Sequence, residues 1–291
     1  MESVFFEHGQ ALCEVMAAKA ASGEVVDMQM VFASLTFDTM CEIAFGVSAG
    51  ALELAAKGEK CAFLVAFDAA QTICSERFLS PHPAEYKLRR FFGIGSEGKL
   101  PGHVRTMDLF LQNIVDARRA EMSVSGEAGT GAKEATSRGD LLSLFISHAH
   151  QHNKPEMLTD AYLKNMIVNF MIAGRDTTSC ALTNIFKMLP RNEEAQRSAV
   201  QECDALYATA ASRGADAEGG TGRTGTQPSF DAFNTSMPVA DACFNESLRM
   251  FPPVGNDIVR SWSTSECRLY ATNAGCTQHV CCPLISVHAM S

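Results

Sequence analysis

The chain has 291 residues, enough for one large or two modest domains, and its 46% hydrophobic and 20% charged content is ordinary for a globular protein with a real core. A net charge of −9 excludes the basic surface that nucleic acid requires. No uninterrupted apolar run reaches membrane-spanning length, and Met1–His8 lacks the basic and sustained apolar regions of a signal peptide.

Eleven cysteines are scattered along the sequence. Cys13, Cys41, Cys74, Cys180 and Cys243 fall within apolar helical patterns. There they read as small buried hydrophobes in a reducing compartment rather than as a disulfide framework.

In chain order, residues 3–21 alternate with helical period and stop at Ser22-Gly23. Asp27 can cap a second helix with a thick apolar stripe, Met30, Val31, Leu35, Phe37, Met40, Cys41 and Phe45, closed by Gly46. Residues 58–79 give another amphipathic helix, broken by Pro81 and Pro83. Tyr86–Phe92 is a basic segment with aromatics, read as a solvated helical turn with its apolar half buried; a membrane-surface contact is the alternative. A long helix is expected over 97–122, followed by a flexible Ser-, Gly-, Ala- and Thr-rich loop over 123–139. Asp140 starts a short helix ending near His150. His148, His150 and His152 read as solvated residues rather than metal ligands, because their spacing fans them around the helix and no carboxylate or cysteine pattern supports them.

Ala161–Leu189 is a long apolar helical pattern, capped by Thr159 or Asp160 and ended by Pro190. Its middle, Asn169–Ser179, breaks local rules in a cluster. Gly174 costs a helix roughly 1 kcal/mol against alanine. Thr177, Thr178 and Ser179 can bond back to carbonyls one turn earlier and bend the helix. Asp176 in an apolar setting needs a partner. Such clusters usually serve a site. A charged helix over 191–207, a disordered Gly-rich stretch over 209–229 and a helix starting at Pro238 follow. After Val259 the texture changes: Ser261–Ser291 has four cysteines, few acidic residues and no clear periodicity.

Two motifs then stand in the order of one family. Ala173-Gly174-Arg175-Asp176-Thr177-Thr178 in a long buried helix resembles the oxygen-binding helix of the cytochrome P-450 haem-thiolate monooxygenases. Glu246-Ser247-Leu248-Arg249, trailed by Pro252-Pro253, resembles that family's E-x-x-R helix. Leu35–Gly46, Ala66–Gln71, Arg77–Leu79 and Phe91–Glu97 are similar to its fatty-acid ω-hydroxylase branch.

The resemblance covers about residues 1–258 and implies a mainly α, partial cytochrome P-450 fold, a helical domain with a long central helix. The membrane anchor, the first helices, most of the β-region and the C-terminal haem-binding part are expected to be missing, and 259–291 reads as an atypical tail. It implies a haem cofactor, electrons from NADPH through a reductase, a fatty-acid-like substrate and a place on the cytosolic face of the endoplasmic reticulum membrane. Without an anchor, the fragment alone is expected to be cytoplasmic.

By the same resemblance, Asp176 is the proton source and Thr177 the positioned donor, while Ala173 and Gly174 lie over the haem, Gly174 leaving room for oxygen. Glu246 and Arg249 would be a structural pair buried beneath the haem. Asn169, Phe170, Val254 and Gly255 would face substrate. The family's F-x-x-G-x-x-x-C-x-G loop, which supplies the thiolate, does not occur in this sequence. Cys267, Cys276, Cys281 and Cys282 lack the preceding Phe and Gly, and with His279 they are too tightly spaced for a zinc site, so no metal site is expected. A frameshift or mis-splicing would explain the tail. The chain as written is expected to be an inactive monooxygenase fragment; the alternative is a helical protein that binds a hydrophobic ligand or partner without haem.

Overall fold

The structure, a computed structural model, describes residues 2–79, 85–127, 140–215, 228–254, 258–260 and 269–271. Almost all of it is helix: α1 (Glu2–Ser22), α2 (Met28–Phe45), α3 (Ala51–Ala56), α4 (Ala62–Leu79), α5 (Glu85–Phe92), α6 (Ser96–Glu127) and α7 (Leu141–Gln151). The central helix is α8 (Asp160–Met171), a π-helical turn (Ile172–Asp176) and α9 (Thr177–Met188) in unbroken succession. Then come α10 (Glu193–Ala215), α11 (Phe230–Ser236) and α12 (Pro238–Met250), with a short antiparallel pair, β1 (Ile258–Arg260) and β2 (Leu269–Ala271). The mainly α expectation holds. Among the described residues no helix is long and apolar enough to cross a membrane.

The ends of these helices follow from their capping residues. Asp27 accepts from the backbone N–H groups of Gln29 and Met30 at 3.1 and 3.2 Å, and Thr159 from that of Tyr162 at 3.4 Å. Gly46 ends α2 at φ 66°, in the left-handed region open to glycine. A Cβ there would also lie 2.1 Å from the Arg118 guanidinium, which donates to the Phe45 carbonyl at 2.7 Å. At α12, Pro238 sits in the first turn and Met237 offers no side-chain cap. Glu202 of α10 reaches over instead and accepts from the N–H groups of Val239 and Ala240 at 3.0 Å. A carboxylate at a helix N-terminus satisfies orphan donors and opposes the positive end of the dipole.

The core sits where α2, α4, α6, α7 and α8 meet. Phe37 stacks on Phe63 at 5.2 Å and both approach Phe110, while Leu142, Leu163, Ile167 and Met171 are fully enclosed. Each such side chain contributes about 1.5–3 kcal/mol by leaving water. Arg77 of α4 is clamped by Glu97 of α6 through Nε at 2.7 Å and Nη2 at 2.9 Å, so these two helices are joined by charge as well as by apolar contact.

Three expectations are corrected. Residues 123–127 continue α6 rather than starting a loop, and 209–215 continue α10; the helical hydrogen-bond ladder carries Ser, Thr and Ala here, whose propensities only mildly oppose it. The rest of both expected loops, 128–139 and 216–227, lies outside the described residues, as do Pro81 and Pro83. In α5 no residue is buried, so the expected buried apolar half is absent. His148 and His152 are exposed at the end of α7 with ring centroids 4.2 Å apart, in keeping with solvated side chains.

Helix α3 begins at Gly50, which has no side chain to cap it. Asp38, buried on α2, does so across the fold, accepting from the Ala51 and Leu52 N–H groups at 2.8 and 2.7 Å. Burial raises its carboxyl above the ordinary value, outweighing the two N–H donors that pull it back. A raised folded-state value means the folded state holds the proton more tightly, so this contribution is full below the unfolded value and lost as pH rises through the raised one. Asp38→Asn does not titrate, so its stability deficit against wild type should shrink as pH rises from about 4. Denaturant melts across pH check this; a deficit that grows with pH contradicts it.

Candidate functional site

The break in the central helix is where the sequence and the structure converge. A π-turn adds one residue to a helix and offsets the faces on its two sides. The hydroxyls work as their positions suggest: Thr177 Oγ1 donates to the Ala173 carbonyl at 2.7 Å, and Thr183 Oγ1 to that of Ser179 at 2.7 Å. These back-bonds supply carbonyls near the irregular turn with donors.

Arg175 is only 4% exposed, yet it is charged. Its Nη1 lies 2.7 Å from Asp68 Oδ1 on α4 and 3.0 Å from Asp176 Oδ1. Its guanidinium stands 5.5 Å from the Phe67 ring centroid, a cation–π distance. Gln71 of α4 donates through Nε2 to Asp176 Oδ2 at 2.7 Å. Thr36 of α2 shares its hydroxyl proton between the carbonyls of Phe32 at 2.9 Å and Arg175 at 3.2 Å. The turn is therefore held by α2 through the backbone and by α4 through side chains.

Behind these groups lies a cleft of about 440 Å³ between α2, α4 and the central helix, lined among others by Ser34, Cys61, Asp68, Gln71, Arg175 and Asp176. The opposite side of the central helix looks outward. Tyr162, Asn165, Asn169 and Ala173 recur every three or four residues and are all exposed, with Thr177 half-buried after them. Opposite the buried Leu163, Met166, Ile167 and Met171, α8 thus presents one open stripe ending in an alanine and a hydroxyl.

The structure separates what the sequence reading placed together. The Asp176 carboxylate turns into the cleft toward Gln71 and Arg175, whereas the Thr177 hydroxyl is tied to the Ala173 carbonyl. At Gly174 a Cβ would lie 2.5 Å from Met40 Sδ and 2.6 Å from Met40 Cε, so its bareness leaves room for a side chain of α2. Asn169 is exposed on the open stripe, while Phe170 packs partly into the core. Val254 is 47% exposed, and Gly255 lies outside the described residues.

Glu246 and Arg249 form the expected pair, with Nε and Nη2 each 2.7 Å from a carboxylate oxygen. The pair is not buried. Its side chains are 56% and 70% exposed, because that face of α12 looks into solvent, and Arg249's hydrogen bonds hold Glu246 below its ordinary value. Asp68, Gln71, Thr36 and Met40 were missed as site residues. The signal available was two polar residues, Asp68 and Gln71, inside an otherwise apolar helical stretch.

The comparisons with known proteins settle the kinship. The family model Cytochrome P450 matches residues 1–269. The chain belongs to the cytochrome P450 family. It is 32% identical over 258 residues to Cytochrome P450 86B1 of Arabidopsis thaliana, covering 88% of this chain and 43% of that protein. To Cytochrome P450 94C1 of Arabidopsis thaliana it is 31% identical over 235 residues, covering 81% and 41%. The chain therefore spans less than half the length of these relatives. Its fold is similar to the heme domain of cytochrome P450DA, with TM-score 0.62 at 21% identity over 93% of this chain and 50% of that one.

Among the described residues no group of three His, Cys, Asp or Glu side chains is placed to hold a metal ion. The described cysteines are free, and Cys41 is buried with its thiol pushed far above the ordinary range by desolvation. Cys267, Cys276, Cys281 and Cys282 lie outside the described residues.

A direct check of the Gly174–Met40 contact is a double-mutant cycle. Gly174→Val should cost about 1–3 kcal/mol by overpacking. Met40→Ala in the same chain should recover part of it, giving a coupling above about 0.5 kcal/mol. Additive effects in chemical denaturation contradict the contact.

Proposed function

We propose that this chain carries the oxygen-side half of a haem-dependent monooxygenase that hydroxylates fatty-acid-like substrates. The observation that supports it most is the open stripe of the central helix, where exposed Ala173 and the Thr177 hydroxyl stand beside a π-turn at the end of a row of exposed residues on α8. A flat macrocycle fits against a small side chain, and a hydroxyl beside it can donate to a ligand. Haem, when bound, supplies the activation of dioxygen that no side chain can. The residues of this chain supply binding and protons.

Thr177 presents its hydroxyl at the edge of the stripe, with Ala173 O fixing its direction. Asp176 holds its carboxylate one residue away on the cleft side, fixed by Gln71 Nε2 and Arg175 Nη1. In this reading a proton enters from the cleft and is held at Asp176 Oδ1 or Oδ2; the Thr177 hydroxyl, once turned from the Ala173 carbonyl, would give its own proton to a bound ligand and take the Asp176 proton in its place. General acid chemistry needs a donor within hydrogen-bond reach of its target, and the turn keeps the two groups adjacent while one faces water. Asn169 would meet substrate along the same stripe. Electrons from NADPH through a reductase, a membrane location and a role for Val254 and Gly255 belong to the same proposal. Residues 270–291, beyond the family match, would be a tail outside the family domain.

No F-x-x-G-x-x-x-C-x-G loop, which would supply the thiolate, occurs among these 291 residues. Haem titration of the purified chain tests the reading. The expected result is uptake of one equivalent, abolished by Ala173→Trp at unchanged helicity, with no thiolate-type Soret band after reduction and CO. Uptake that ignores Ala173→Trp contradicts the haem reading and favours a helical protein that binds hydrophobic ligands. A thiolate-type band contradicts the missing ligand.

A further inference from the structure

Helix α2 meets the π-turn with two side chains one helical turn apart. Thr36 and Met40 are spaced i, i+4 and so share a face, and both reach the central helix from it. Met40 takes the space that Gly174 leaves open. Thr36 is buried, and its hydroxyl oxygen lies 3.2 Å from the Arg175 carbonyl across 139 positions of sequence. Arg175 is the fourth of the five π-helical residues, with Asp176 and Thr177 directly after it.

A hydroxyl has one proton to give, and Thr36 has three carbonyls within reach: Phe32 at 2.9 Å, Ala33 at 3.2 Å and Arg175 at 3.2 Å. The first two belong to its own helix, where a threonine back-bond is the ordinary arrangement. Thr39, also buried on α2, shows that ordinary case: its hydroxyl donates to the Leu35 carbonyl at 2.8 Å. The Arg175 carbonyl is a partner of another kind, because it belongs to the turn itself.

An irregular turn persists where its surroundings determine it. Asp68 and Gln71 of α4 hold the ends of the Arg175 and Asp176 side chains. Those contacts fix charges, but rotatable bonds separate them from the backbone. A donor on the Arg175 carbonyl fixes the backbone directly. The difference matters because a register shift of one residue turns everything beyond it by about 100°. We propose that Thr36 is a positioning residue: its hydroxyl pins the Arg175 carbonyl and so keeps the Asp176 carboxylate on the cleft side and the Thr177 hydroxyl at the edge of the stripe. Its consequence for proton delivery rests on the monooxygenase reading; the positioning itself needs no haem.

The test compares three variants of the full chain without haem. Thr36→Val nearly keeps the shape and removes the donor, Thr36→Ser keeps the donor, and Thr39→Val removes a buried hydroxyl that bonds within α2. Two readouts are taken: native-state exchange of the Ile172–Thr177 amides, and the NMR resonance of the Asp176 carboxyl carbon. Thr36→Val should speed that exchange roughly two- to tenfold, the worth of one hydrogen bond, and should move the Asp176 resonance. Thr36→Ser should return both to wild type, and Thr39→Val should change neither. Thr36→Ala, which leaves a small void in place of the added methyl, is read in the same way and covers a valine variant that fails to fold. Wild-type behaviour of the donor-less variants, an equal response to Thr39→Val, or no rescue by serine overturns the proposal. Haem uptake that ignores Ala173→Trp would contradict the monooxygenase reading and leave these readouts unchanged, so the two fail separately.

Discussion

The buried guanidinium of Arg175 is the constraint on which the architecture turns. A charge removed from water is tolerated only with partners, and removing one member of a buried pair costs roughly 3–5 kcal/mol. Asp68 is 57% exposed, so this pair belongs at the low end of that range. Arg175 fixes three things at once. It ties the central helix to α4, it orients one oxygen of Asp176, and its carbonyl accepts from Thr36 of α2. The π-turn sits inside this knot, and its irregularity divides the helix into a face toward the cleft and a face toward the open stripe.

That division gives the site its chemistry. An acid and an alcohol at adjacent positions of a regular helix already diverge by about 100°; here partners hold the divergence in place. Gln71 and Arg175 pull the acid toward water in the cleft, while Ala173 O holds the hydroxyl at the opposite edge. Gly174 between them leaves room for the end of the Met40 side chain of α2.

Much of this was legible from residue patterns. Capping residues Asp27, Asp140 and Thr159 and the stop at Gly46 mark helix ends because their chemistry is local. The central helix announced itself through the polar cluster at Asn169–Ser179. The partners of that cluster were not legible, because Gln71 reaches Asp176 across 105 positions of sequence and Asp68 reaches Arg175 across 107. Spacing within one helix carries no information about such contacts. The i, i+3 spacing of Glu246 and Arg249 fixed their pairing but not their exposure, which depends on what covers α12. The ends of α6 and α10 were misjudged for a related reason: weak helix formers at a helix end extend it when the ladder is already nucleated.

The central claim is that Arg175 holds the irregular turn in the central helix. Native-state amide hydrogen exchange on wild type and Arg175→Met measures this directly. The account predicts that protection collapses over Ile172–Thr177 and weakens in the adjoining turns of α4, while α7 and the Phe37–Phe63 core keep theirs. Unchanged protection across Ile172–Thr177, or a loss spread evenly over all helices, would contradict it.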